Sequence, residues 1–269
     1  MNKIYNFNPL LLLVSIYIMS SSMSVMAQQL SADDIMNEAY RNFKYQGDDR
    51  SVMANMALKN KSGKVIMERE LLVLRKNEEG SLSQKWYTHF LKPADLRKMV
   101  FLSIKNPEED DDRWLFLPSL DLVKRLAGSD KRSSFAGSQF VYEDITGRIP
   151  NLDNHSLSES SGESYVVTST PKNSKSLEFA YYKTYVDKES MLPSQQVFYS
   201  SNDKVLKTFK IEKTEVIQGF NTVTSFSMTD NETGESTYTT YSNIKYNVGV
   251  EDKIFTESYI KRSPRKWLK

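Results

Sequence analysis

The chain has 269 residues, with 36 lysines and arginines against 34 aspartates and glutamates and no cysteine. So even a balance excludes a general binder of nucleic acid or of anionic membranes. The missing cysteines exclude disulfides, thiolate metal centres and thiol nucleophiles together.

The amino terminus reads as a secretory signal. Lys3 is the only charge before an apolar run at 10–19, broken only by Ser15, and Val25-Met26-Ala27 forms a small-residue cleavage site. Cleavage is expected after Ala27, which leaves 28–269 as one exported β domain. The apolar run is half the length of a membrane-crossing helix, which needs about 20 residues. No cysteine follows it, so the chain carries no acylated-thiol anchor of its own.

A helix is predicted over 32–43. Ser31 and Asp34 form a capping box, and Ile35, Met36, Ala39 and Phe43 recur at helical spacing. Almost everything after Gly47 alternates with a period of two and is rich in Thr, Val, Tyr and Phe. Val52, Ala54, Met56 and Leu58 begin the series, followed by Trp86, Thr88 and Phe90. Further runs lie at 98–104, 114–117, 165–170, 177–186, 196–199, 205–213, 223–228 and 238–244. Ten or eleven strands without intervening long helices predict an antiparallel meander.

The stretch 126–157 has neither period. It holds Gly128, Gly137, Gly147 and Pro150 among aromatics, and reads as a folded flap. The basic tail 261–269 reads as a frayed end.

Two runs, Met99-Val100-Phe101-Leu102 and Trp114-Leu115-Phe116-Leu117, are apolar on both faces. So much apolar sheet must be covered. It either folds on itself as a sandwich or curls around a cavity that the helix and flap close. Periodicity leaves these two even. Trp86, Phe101, Trp114, Phe116, Phe135 and Phe140 are the side chains expected to line such a cavity or its flap, where each buried CH₂ of an acyl chain gains about 0.8 kcal/mol.

Other constellations are weaker. The acidic run Glu108-Glu109-Asp110-Asp111-Asp112 lacks the spacing and glycine of a calcium loop and reads as a solvated turn. Lys124, Arg125, Lys131 and Arg132 suit either a phosphate headgroup or an exposed strand edge. His89 and His155 are the only histidines, and no H-E-x-x-H, nucleophile elbow or phosphate loop accompanies them. The expectation is therefore no enzyme, no cofactor and no metal.

One block decides between sandwich and cavity. Trp-Leu-Phe-Leu-Pro (114–118), Val-Lys-Arg-Leu (123–126) and Ser-Asp-Lys-Arg-Ser-Ser-Phe-Ala-Gly-Ser-Gln-Phe-Val-Tyr-Glu-Asp (129–144) resemble the outer-membrane lipoprotein-sorting protein family, similar to the periplasmic lipoprotein carrier. The segments 185–193, 204–209 and 242–256 agree in order. The resemblance implies a strongly curved antiparallel half-barrel with a short helical lid over a hydrophobic cavity. It implies a monomeric periplasmic carrier of lipid or acylated lipoprotein cargo between inner and outer membrane. A resistance-nodulation-division-type transporter is the implied partner. The other reading is a periplasmic sensor or adaptor that regulates or assists an envelope transporter, since the same fold serves a periplasmic regulator. Two departures stand out. Ala136 sits where similar proteins commonly carry methionine, and Lys92-Pro93 replaces an Arg-Pro pair of the carrier. That makes Lys92 the candidate lid latch, without the planar fork that clamps carbonyls.

Overall fold

The computed structural model describes residues 30–268, so the signal segment and its cleavage site lie outside the described residues. A helix, α1 (Ala32–Lys44), leads into β1 (Asp49–Lys59), β2 (Val65–Asn77), β3 (Gln84–Lys92), β4 (Val100–Lys105), β5 (Asp112–Leu117) and β6 (Leu122–Arg125). After the short helix α2 (Tyr142–Thr146) follow β7 (Asp153–Ser161), β8 (Ser164–Pro171), β9 (Tyr181–Asp187), β10 (Pro193–Tyr199), β11 (Val205–Ile217), β12 (Phe220–Asp230) and β13 (Ser236–Tyr246).

All 13 strands form one unclosed sheet in the order β6-β5-β4-β3-β2-β1-β13-β12-β11-β10-β9-β8-β7. Every neighbour is antiparallel. The two wings meet at the centre, where β1 pairs with β13 and Arg50 stands opposite Tyr246. Side chains of β3, β9 and β11 converge on a single cavity, so the sheet is curled.

Thirteen strands replace the ten or eleven expected, and the three extra ones evade a period-two search for different reasons. The first half of β2 is a projecting hairpin arm, with Val65, Ile66 and Met67 exposed, while its second half is buried on both faces. The edge strand β6 has four residues. The other edge, β7 (Asp-Asn-His-Ser-Leu-Ser-Glu-Ser-Ser), carries one apolar side chain.

Local chemistry fixes α1. The Ser31 hydroxyl accepts from the Asp34 amide at 3.1 Å while the Asp34 carboxylate accepts from the Ser31 amide at 3.2 Å, satisfying two amides with no partner inside the helix. At the other end Gln84 and Asn77 donate to the carbonyls of Lys44 and Tyr45 at 2.9 and 3.0 Å. Gly47 then turns the chain at φ +64°, where a side chain would be strained and would meet Asn247 at 2.9 Å.

The sheet has cores on both sides. On the concave side Val52, Leu71, Val73, Phe90 and Phe101 pack with Phe209, Phe226 and the central segment. On the convex side Leu72, Leu74, Tyr87, Val100, Leu102 and Phe116 pack against Val250, Ile254, Phe255 and Ile260. The carboxy-terminal segment is therefore the cover of the second apolar face, and its end is docked rather than frayed: Trp267 packs on the same cluster. No described helix is long and apolar enough to cross a membrane.

Candidate functional site: a covered apolar cavity

A cavity of about 130 Å³ lies between the concave face, α1 and the segment 126–152. The sheet contributes Ala54, Met56, Leu71, Val73 and Trp86 from one wing and Phe198, Phe209, Phe226 and Met228 from the other. From α1 come Met36, Ala39, Tyr40, Phe43 and Lys44. Phe135, Phe140 and Ile145 close the remaining side.

The central segment is folded, as its aromatics suggested, but its last part, from Asp153, belongs to β7. Phe135 is its anchor. It is buried among Phe90, Phe101 and Tyr142, with ring centroids 5.6, 5.7 and 5.6 Å away. Phe140 packs edge-on against Phe226 at 5.6 Å. Ala136 takes a left-handed backbone, φ 51°, and its carbonyl accepts from Arg69 Nη2 at 3.3 Å.

Charged groups bind this segment to both wings. Lys105 Nζ donates to the carbonyl of Thr146 at 3.0 Å and to that of Gly147. Lys44 Nζ reaches the carbonyls of Asp144 and Ile145 at 3.4 Å each. Toward the far wing Arg132 pairs with Glu143 at 2.7 Å and with Glu178. Arg148 grips Asp153 at 2.8 Å, and Tyr182 donates to the same carboxylate at 2.7 Å. Burial raises the Glu178 carboxyl, but the Arg132 hydrogen bond and charge hold it below its ordinary value. Burial raises the Asp144 carboxyl. The Lys44 amine falls to about 7 and the Lys105 amine to about 8, first through burial; neighbouring cations push Lys44 further.

The sequence-predicted residues divide. Trp86, Phe135 and Phe140 line the cavity. Phe101 lies one layer beneath it, under Phe135 and Tyr142. Trp114 and Phe116 belong to the convex cluster instead, because successive residues of β5 face opposite sides and Leu115 and Leu117 take the concave positions. Lys92 is 72% exposed, pairs with Glu70 at 2.5 Å and does not reach the flap, whose carbonyls are held by Arg69, Lys44 and Lys105. Of the other basic candidates, Lys131 and Arg125 make surface pairs with Asp110 and Asp112, while Arg132 belongs to the buried network. The acidic run shows no metal-binding cluster among the described residues.

Buried cations that the sequence reading missed are Lys44, Arg50, Arg75 and Lys105. Parity would have found three of them: Arg50 continues the face of Val52 and Ala54, Arg75 that of Leu71 and Val73, and Lys105 that of Phe101.

This architecture has close counterparts. A family model described as an uncharacterized protein matches residues 83–262. A DUF1329 family protein from Desulfovibrio piger is 26% identical, covers 86% of this chain and 100% of its own, and superposes with a TM-score of 0.76. An outer membrane lipoprotein-sorting protein domain from Vibrio parahaemolyticus is 27% identical over 86% of this chain and 98% of its own, also with a TM-score of 0.76. The chain belongs to the family of that model, and it is similar to a solved outer-membrane lipoprotein-sorting protein domain. The LolA superfamily protein NE2245 from Nitrosomonas europaea shares the fold at 22% identity and a TM-score of 0.65, covering 86% of this chain and all of its own. No curated protein matches the sequence.

Proposed function

We propose that this protein carries lipid or acylated lipoprotein cargo through the periplasm, holding the acyl part in the cavity under α1 and the central flap. The observation that carries the reading is the cavity wall. Aromatic and aliphatic side chains from both wings of one sheet converge beneath a cover that is not itself part of the sheet. A mainly apolar wall with polar side chains such as Lys44, Arg132 and Gln196 set into it suits an amphiphile whose chain supplies most of the contact. Likeness to a lipoprotein-sorting protein domain and the signal read at 1–27 support the periplasmic setting, and an inner-membrane transporter of the resistance-nodulation-division type is the proposed partner.

The size of the cavity supports a cover that moves. At about 130 Å³ the cavity is comparable to engineered cavities of about 150 Å³ that accept one benzene. A long acyl chain therefore requires α1 or the flap to swing outward, and their fastening by a few lysines and arginines makes that movement local.

The test is extraction of the purified mature protein with organic solvent followed by lipid mass spectrometry, with uptake of a fluorescent fatty acid in parallel. Copurifying lipid or saturable uptake is expected. An empty protein that takes up nothing overturns the carrier reading. A stable one-to-one complex with an envelope protein and no lipid transfer replaces it with an adaptor.

A further inference from the structure

We infer that one end of the cavity is a site for an anionic lipid headgroup, a carboxylate or phosphate, received by Arg50 and Lys44. The inference rests on the lipid-carrier reading and names the class of cargo within it.

Four cations, Lys44, Arg50, Arg75 and Lys105, gather where the end of α1 meets β1 to β4, and none is in an ion pair among the described residues. Two are satisfied in another way. Arg75 donates to the carbonyls of Lys44, Gln46 and Gly47, closing the end of α1, and Lys105 holds the end of α2. Lys44 has only two long contacts, at 3.4 Å.

Arg50 makes no ion pair among the described residues and has the Tyr241 hydroxyl as its side-chain hydrogen-bonding neighbour, although it is only 8% exposed and its Nε is buried without a partner. Its guanidinium lies 6.0 Å from the Trp86 ring and 5.4 Å from the Tyr241 ring, both of them cavity wall. The Lys44 ammonium stands 5.7 Å from the same Trp86 ring. Both cations thus stand close to one lining indole.

The carboxylates nearby are committed elsewhere. Asp49 accepts from the amides of Val248 and Val250 at 2.7 Å each, and Asp111 pairs with Arg113 at 2.7 Å. Glu143 pairs with Arg132, and Asp144 accepts from the Val141 amide at 2.8 Å.

A buried guanidinium without a counter-ion is costly. A fold gains little by keeping one beside a second loosely held cation, unless an anion completes the pair. A lysine on the wall, with an arginine behind the lining rings of Trp86 and Tyr241, suits an amphiphile whose acidic end docks between them while its chain runs along Trp86 toward the flap. Such a headgroup also distinguishes this cargo from a neutral diacylglyceryl group, which would leave the cations unpaired.

The experiment is displacement of a neutral naphthylamine dye from the purified mature protein. The displacing ligands are dodecanoate, dodecyl phosphate, dodecanol, dodecyltrimethylammonium and inorganic phosphate. Charge-assisted hydrogen bonds at a desolvated site predict that the two anionic amphiphiles bind at least about tenfold more tightly than dodecanol, and the trimethylammonium compound most weakly. Arg50→Met should erase that preference, with a cooperative urea transition verifying that the variant folds. Lys44→Met should reduce it. The ligand series on the unmodified protein decides the matter even if a variant fails to fold. Equal binding of dodecanoate and dodecanol overturns the headgroup site and leaves the lipid cavity standing. Failure of every amphiphile to displace the dye overturns the carrier reading itself. Inorganic phosphate competing as well as dodecyl phosphate overturns the lipid source in favour of a free anion.

Discussion

Phe135 shows how a single side chain fixes the cover. Its ring fills a space bounded by Phe90, Phe101 and Tyr142 on the concave face, and it is 1% exposed. Truncation leaves that space empty, so Phe135→Ala should cost about 3–5 kcal/mol. It should also admit dye faster than the parent, both read from urea unfolding and stopped-flow fluorescence. Phe135→Leu, which keeps most of the volume, should cost less than half as much.

Titration at two residues gives slopes of the same sign in separate pH windows. Lys44 is held at about 7 by burial, then by Lys105 and Arg50, with Arg75 adding and Asp144 opposing, against about 10.4 in an unfolded chain. Between those values the unfolded state binds the extra proton, so stability rises with pH from about 7 towards 10. Lys44→Met should flatten that rise in urea midpoints measured at pH 6.5 and 9. His89 is pushed down to about 4 by burial and by Lys98, while its unfolded value is about 6.5. Its contribution is intact above about 6.5 and is lost as pH falls towards 4. His89→Phe should reduce that acid sensitivity.

Among the elements, the flap is tied to the far wing by ion pairs of unequal worth. Arg132 bridges Glu143 and Glu178, and removing it leaves the buried Glu143 carboxylate with only the longer pair to Arg148 at 3.4 Å. Arg132→Met is expected to lose about 3–5 kcal/mol and to open 126–152 to limited proteolysis. Arg125→Ala breaks only the exposed pair with Asp112 and should cost less than about 1 kcal/mol. Equal protease sensitivity in the two variants would contradict this ranking.

Legibility followed chemistry at this scale too. The capping box marked α1, and an aperiodic aromatic stretch marked the flap, because both signals are local. β2 escaped because one half protrudes and the other is buried on both faces, which removes alternation. Trp114 and Phe116 could not be assigned a side, since a strand apolar on both faces reveals its period but not which face is concave. The buried cations Arg50, Arg75 and Lys105 were not singled out, although their parity puts them on the faces of Val52, Val73 and Phe101. The cover on the convex face was also invisible: Val250, Ile254, Phe255 and Ile260 sit in short turns with no period at all.

For the whole molecule, the carrier reading requires the cavity to alternate between closed and open forms. The backbone amide of Gln139 on the flap donates to the Thr237 hydroxyl on β13 at 3.0 Å. A Gln139→Cys, Thr237→Cys pair has no native thiol to compete with it. Oxidation should abolish fatty-acid loading, and reduction should restore it, as followed by ligand fluorescence. Unchanged loading after verified cross-linking would rule out the flap as the moving part.

The pairing of β1 with β13 has a consequence for how the chain is made. Arg50 meets Tyr246 across almost two hundred intervening residues, and the cover of the convex face comes later still. Neither wing has its central neighbour until synthesis is nearly complete, and contacts so distant in sequence form slowly. A nascent or truncated chain therefore cannot close a working half of this protein. Until β13 is made, one edge of β1 stands without its partner while the other is paired with β2, so the sheet has an open seam at its centre.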